Sequence, residues 1–169
     1  MNIYIFRGKS ATGKTTLTNI LSKRLNIPIL RKDDIFDLLS KYETDIGILN
    51  SASYDILAAQ IQTCIDNQSD VIVDIALQHT PSLKTFLGKI DFKNSTVYRF
   101  FCDCSNNNIW LDRWRERLIN PLPNQYFKSI DEITEHYGKC EIEPLNGEIV
   151  LDSIMAVDKL IDIIMEEIQ

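Results

Sequence analysis

The residues Gly8-Lys9-Ser10-Ala11-Thr12-Gly13-Lys14-Thr15 follow directly on the apolar run Ile3-Tyr4-Ile5-Phe6, and Leu17, Ile20, Leu21 and Leu25 behind them share one helical face. A G-x-x-x-x-G-K-[ST] spacing between a strand and a helix admits few architectures. Gly8 and Gly13 can take backbone angles that a side chain forbids, so the loop wraps tightly and its N–H groups converge. The start of the following helix adds positive potential, which makes an anion site suited to a di- or triphosphate. Gly8, Ser10, Ala11, Thr12, Gly13, Lys14, Thr15 and Thr16 are the expected cradle. Lys14 would reach the β- and γ-phosphates, and the Thr15 hydroxyl is placed to ligate Mg²⁺. A chance match in a chain of this size is on the order of one in a hundred. The flanking strand and helix argue further against a mere glycine turn.

The rest of the chain alternates strand and helix. After strand one (Ile3–Phe6) and a helix over 14–25, Pro28-Ile29-Leu30 begins a short second strand. Lys32-Asp33-Asp34 then leads into a helix expected from about Ile35 to Leu39. Ser53–Asn67 reads as helical, with Leu57, Ile61, Cys64 and Ile65 in register, and Asp70-Val71-Ile72-Val73-Asp74 is a buried third strand. A helix opens at Thr80-Pro81-Ser82 and runs to about Leu87. Thr96–Cys102 is the fourth strand, Asn106–Leu118 a helix broken by Asn120–Asn124, and 127–137 helical again. Glu148–Leu151 is the fifth strand. Asp152 or Ser153 is expected to cap a last helix striped with Val157, Leu160, Ile161, Ile164 and Ile168. Such alternation predicts an α/β three-layer sandwich around a five-stranded parallel sheet, with ligands beyond the carboxyl ends of the strands.

Three further groups belong to that edge. Asp74 closes the third strand and can hold Mg²⁺ through water or meet a second substrate; its structural alternative is a cap on the next turn. Asp33 and Asp34 follow the second strand. Asp33 is favoured to accept the proton of an attacking hydroxyl, while one of the pair could cap the next helix. Arg113 and Arg117 lie four apart on one helical face, Arg115 on another. One guanidinium would neutralise transition-state charge and the other would lie on a nucleotide base, unless the run is a solvated face paired with Asp112 and Glu116. Trp110 and Trp114 are expected as core anchors, and His79 could line an acceptor pocket.

The sequence of 169 residues suits a single domain, residues 1–169, with a lid at approximately 113–127. No apolar run approaches a membrane span, and the N-terminus enters a strand at once, so a cytoplasmic protein without a signal peptide is expected. A net charge of −6 argues against broad nucleic-acid affinity. Cys102-x-Cys104 with His136 and Cys140 could be drawn as a zinc site. Cys102 falls in an apolar run, however, and no C-x-x-C pair occurs, so reduced thiols are expected.

With these residues in place, the chain resembles the small P-loop kinases often grouped with AAA-family ATPases. They include polynucleotide 5′-hydroxyl kinases, chloramphenicol phosphotransferase, zeta toxins, and gluconate- and shikimate-kinase-like enzymes. The resemblance spans the phosphate loop at 8–15, Lys32-Asp33-Asp34-Ile35, the Val71–Asp74 strand end, the arginine-bearing helix and the closing strand and helix. It implies a nucleoside-kinase-like P-loop fold, with Lys14 and Thr15 serving ATP and Mg²⁺, Asp33 as base, and Arg117 as the lid arginine. The polynucleotide branch carries an arginine three residues after the base, where this chain has Phe36, which argues against a polynucleotide acceptor. The expected activity is transfer of the ATP γ-phosphate to a hydroxyl of a small molecule. The alternatives are a nucleotide-binding regulatory ATPase with a protein partner, and a nucleoside monophosphate kinase. The latter would want arginines near strand two, where Arg31 alone stands.

Overall fold

Strand β1 (Asn2–Gly8) takes the centre of the sheet, and from Ile3 onward each of its residues is buried. The computed structural model describes residues 1–121 and 125–169. β2 (Ile29–Arg31), β3 (Val71–Asp74), β4 (Thr96–Asp103) and β5 (Ile149–Asp152) complete an all-parallel sheet in the order β2-β3-β1-β4-β5. The order reverses beside β1, so the crevice after its carboxyl end is where such a sheet accepts ligands. The helices are α1 (Lys14–Leu25), α2 (Lys32–Leu39), α3 (Ile46–Asp66), α4 (Thr80–Leu87), α5 (Asn107–Ile119), α6 (Ile130–Gly138) and α7 (Val157–Glu167).

Alternation along β1 sorts the core into two layers. Ile3 and Ile5, with Val71 and Val73, meet Leu57 and Ile61 of α3 and Leu83 and Phe86 of α4. Tyr4 and Phe6, with Ile72 and Phe100, meet Leu17 and Leu21 of α1 and the Leu160, Ile161 and Ile164 stripe of α7. Each such side chain contributes about 1.5–3 kcal/mol by leaving water. A third cluster lies past the strand ends, where Trp110 and Trp114 of α5 pack on Ile133 and Tyr137 of α6 and on Ala11 of the loop after β1. The tryptophans are therefore core anchors, as expected.

Several boundaries differ from the sequence reading. β2 runs straight into α2, so the helix starts at Lys32 and not Ile35. Arg31 occupies the N-cap position; neither Asp33 nor Asp34 caps, and both lie in the first turn. α3 begins at Ile46, where the Asp45 side chain accepts the Ile48 N–H at 3.0 Å. The polar run Asn50-Ser51 conceals that extra length from an apolar-period reading. α6 starts at Ile130, capped by Ser129, later than expected. α7 has Ala156 at its N-cap: Asp152 instead accepts the Ser105 and Ile154 N–H groups, and Ser153 is taken by Arg113. Residues 122–124 of the expected lid and helix break lie outside the described residues. Among the described residues, no helix is long and apolar enough to cross a membrane.

Candidate active site

The loop between β1 and α1 owes its shape to two glycines and close packing on β4. Gly8 has φ +138°, and a Cβ there would fall 1.9 Å from the Cys102 carbonyl oxygen, so no side chain fits. Gly13 (φ 85°) and Ala11 (φ 64°) also adopt left-handed angles, which turn successive N–H groups inward. Lys14 is buried beneath this ring and donates to the carbonyls of Gly8 at 2.9 Å and Lys9 at 2.7 Å. Burial pushes its ammonium below the usual lysine range, against the opposing pull of Asp74. The Thr12 hydroxyl ties back to Lys9 O at 2.7 Å. The Trp110 indole donates to Ser10 O at 2.8 Å, and the Tyr137 hydroxyl accepts the Ser10 N–H at 3.0 Å. Helices α5 and α6 thus hold the loop from outside.

Asp74 sits where the end of β3 pairs with Phe6 and Arg31 in register. It is buried, and its Oδ2 accepts from the hydroxyls of Thr15 at 3.1 Å and Thr18 at 3.2 Å and from Arg31 Nε at 3.2 Å. A cap on the following turn is not what it makes. The Thr15 hydroxyl and the Asp74 carboxylate form a pair of hard oxygen donors beside the loop, the chemistry that suits Mg²⁺ shared with a phosphate. Arg31, whose role the sequence left open, also reaches Asn19 at 2.9 Å and Asp34 at 3.4 Å. It is therefore committed to the carboxylates of this edge.

A cavity of about 800 Å³ opens over the loop, and Lys14, Thr15, Asp33, Asp74 and Arg117 all line it. Asp34 does not; its largely exposed side chain turns to Arg31. Arg117 sits 5.7 Å above the Trp114 ring, is held below the usual arginine range by burial, and makes no ion pair with a described residue. Arg113 faces a second cavity of about 430 Å³, which shares Thr16 and Arg117 with the first and adds Ser153 and Met155. Its guanidinium donates to Ala11 O at 3.2 Å, Ser153 Oγ at 2.6 Å and Ser153 O at 2.7 Å. Of the arginine run, only Arg115 forms the surface pair with Asp112. His79 does line the larger cavity, yet its Nδ1 accepts the Glu141 N–H at 3.2 Å.

Three contributors were not singled out by sequence. Tyr137 offers no local signal. Arg7 continues the inward-facing register of Ile3 and Ile5, and that alternation is the signal that could have found it. It is fully buried, against Glu148 at 2.6 Å. Lys32 is buried beside Phe36 and Tyr54 on the cavity wall. Of the cysteines, Cys102 lies in the core, its thiol pushed up to about 12 by burial, and Cys104 packs under α5.

Comparison by sequence finds no matching family model and no matching curated protein. Comparison by structure aligns nearly the whole chain with known folds. A candidate kinase from Chloroflexus aurantiacus shares 16% identity at TM-score 0.79, with 99% of this chain and 98% of that one covered. A sugar kinase from Janibacter sp. shares 15% at TM-score 0.71, covering 98% and 93%. The Mycobacterium tuberculosis APS kinase, solved with AMPPNP and APS, shares 13% at TM-score 0.69, covering 99% and 96%. With its glycine-lined loop, parallel sheet and order of elements, the chain has the P-loop kinase fold.

Proposed function

We propose that the chain is an ATP-dependent phosphotransferase that moves the γ-phosphate to a hydroxyl of a small molecule. The observation that carries this reading is the shared cavity: Asp33 faces the same space as Lys14, Thr15 and Arg117. The acceptor hydroxyl donates a hydrogen bond to the Asp33 carboxylate, which aims its oxygen at the γ-phosphorus and takes the proton. The new O–P bond forms as the bond to the bridging β–γ oxygen breaks, releasing ADP. Lys14 and Arg117 neutralise the oxygens of the transferring group, and loop N–H groups hold the β-phosphate. Thr15 and Asp74 are the residues that would hold Mg²⁺, whose chemistry there would be further charge neutralisation. Gln125, Tyr126 and Phe127, which also line the cavity, would limit water and hence wasteful hydrolysis. Arg113 and the smaller cavity are assigned to the base end of the nucleotide, with adenine preferred by family resemblance.

The neighbours named as kinases agree with this reading, and one was solved with an ATP analogue. An acceptor that is itself a phosphate ranks lower, because Arg31 is tied to Asp74 and Asp34 and a carboxylate stands at the reacting centre. The protein is assigned to the cytoplasm, with neither nucleic acid nor membrane as substrate. The test pairs two variants in an acceptor-dependent ATP-consumption assay. Lys14→Ala should abolish transfer. Asp33→Asn should keep affinity for an ATP analogue while slowing transfer by roughly 10²–10⁴-fold. Full turnover in Asp33→Asn would remove the base assignment.

A further inference from the structure

The wall of the larger cavity carries a cation that the transfer chemistry above does not use. Lys32 is 7% exposed and lines the cavity from the first turn of α2, next to Asp33. Its Nζ donates to Asn50 Oδ1 at 2.9 Å, a neutral partner. The nearest carboxylate oxygen, Asp33 Oδ1, stands at 3.9 Å, beyond hydrogen-bond reach. The ammonium is 4.1 Å from the centre of the Phe36 ring and 5.5 Å from that of Tyr54.

A nearly buried ammonium that lacks a carboxylate in contact is costly to keep. Burial duly holds Lys32 below the usual lysine range. The aromatic faces, the amide and the more distant Asp33 carboxylate offset part of that cost, and an anion arriving from the cavity within hydrogen-bond reach would offset the remainder. The ammonium already lies over one face of each ring.

We propose that the acceptor is an alcohol that also carries an anionic group, a carboxylate or a phosphate or sulfate ester, received by Lys32 while its hydroxyl meets Asp33. This deepens the phosphotransferase reading and rests on it for the hydroxyl. One cation beside one base matches one remote anion, in contrast to the several cations needed where a phosphate is itself the nucleophile. Adjacent positions on one helical turn would fix the distance between the two recognised groups, so Lys32 selects acceptors and sets the register of the reacting oxygen.

The test saturates the loop with AMPPNP and Mg²⁺ and measures calorimetric binding of matched pairs: glycerol with glycerate, glucose with gluconate, and inositol with inositol monophosphate. In at least one pair the anion should bind roughly tenfold to a hundredfold more tightly than its neutral partner. Which pair responds tells a carboxylate from a phosphate ester. Lys32→Met should bring that ratio close to one. Asn50→Asp keeps the lysine but gives it a built-in carboxylate, and should collapse the ratio in the same way. The proposal is overturned if no anion outbinds its neutral partner, or if the preference survives in both variants. ATP consumption in the same mixtures reads the phosphotransferase assignment separately. Anion preference without ATP turnover would retain the Lys32 site and remove the kinase, whereas turnover of neutral alcohols alone would do the reverse.

Discussion

Arg7 shows how one residue can tie the phosphate loop to its surroundings. Its side chain is fully buried, stacks 4.6 Å from the Phe101 ring, and is paired with Glu148, itself 1% exposed. The remaining donors reach the carbonyls of Leu77 at 3.4 Å, Gln78 at 3.1 Å and Glu143 at 2.6 Å. These carbonyls belong to the segment after β3 that lines the cavity and to the segment that returns from α6. A cation so placed is satisfied only as a set, and removing one member strands the other. Arg7→Met is therefore expected to cost about 3–5 kcal/mol in urea unfolding. Arg7→Met with Glu148→Leu should recover part of that loss, because no buried charge is left alone. A double variant less stable than either single change would show that the pair acts by packing alone.

At the scale of elements, α5 carries both cavity arginines, and its start is set by a single side chain. Asn106 Oδ1 accepts from Asn108 N at 3.0 Å and Ile109 N at 3.2 Å, and the helix then delivers Trp110 to Ser10. Asn106→Ala is expected to cost about 1 kcal/mol in chemical unfolding. It should also weaken binding of an ATP analogue, because fraying moves Trp110 off the loop. Unchanged affinity at reduced stability would separate the cap from the loop. Helices of this kind were legible where an apolar stripe or a capping side chain marks them. The core faces of α1 and α7, the β3 run ending at Asp74 and the P-loop were all plain from residue spacing. The starts of α2 and α3 were not. β2 enters α2 without a turn residue, and in α3 the opening Ile46-Gly47-Ile48-Leu49 is cut off from the later apolar stripe by Asn50-Ser51, so no continuous period marks its start. At the site, Lys14, Thr15, Asp33, Asp74 and Arg117, all named from the sequence, line one cavity. The buried partners Arg7, Lys32 and Tyr137 stayed hidden, because burial of a polar side chain depends on tertiary neighbours far away in sequence.

For the molecule as a whole, nucleotide binding and folding should be one linked equilibrium. Burial holds the Lys14 ammonium below the usual lysine range and the Arg117 guanidinium below the usual arginine range. Two cations kept out of water around one cavity are a cost to the free protein, and a triphosphate entering the cavity converts that cost into binding free energy. A ligand that binds only the folded chain stabilises it by RT ln(1 + [L]/Kd), about 2.7 kcal/mol at a concentration of 100 Kd. For a domain of this size the corresponding rise in Tm is roughly 5–10 °C. AMPPNP with Mg²⁺ should produce that rise in the wild-type protein, and chelation of the metal should reduce it if Thr15 and Asp74 hold the ion as proposed. Lys14→Ala should lose most of the rise. Asp33→Asn should retain it, because Asp33 is assigned to the acceptor and not to the nucleotide. Scanning calorimetry on the three proteins decides the point: an equal shift in all of them would place the nucleotide elsewhere on the molecule, whereas a shift lost in Asp33→Asn would move that carboxylate from the acceptor to the nucleotide.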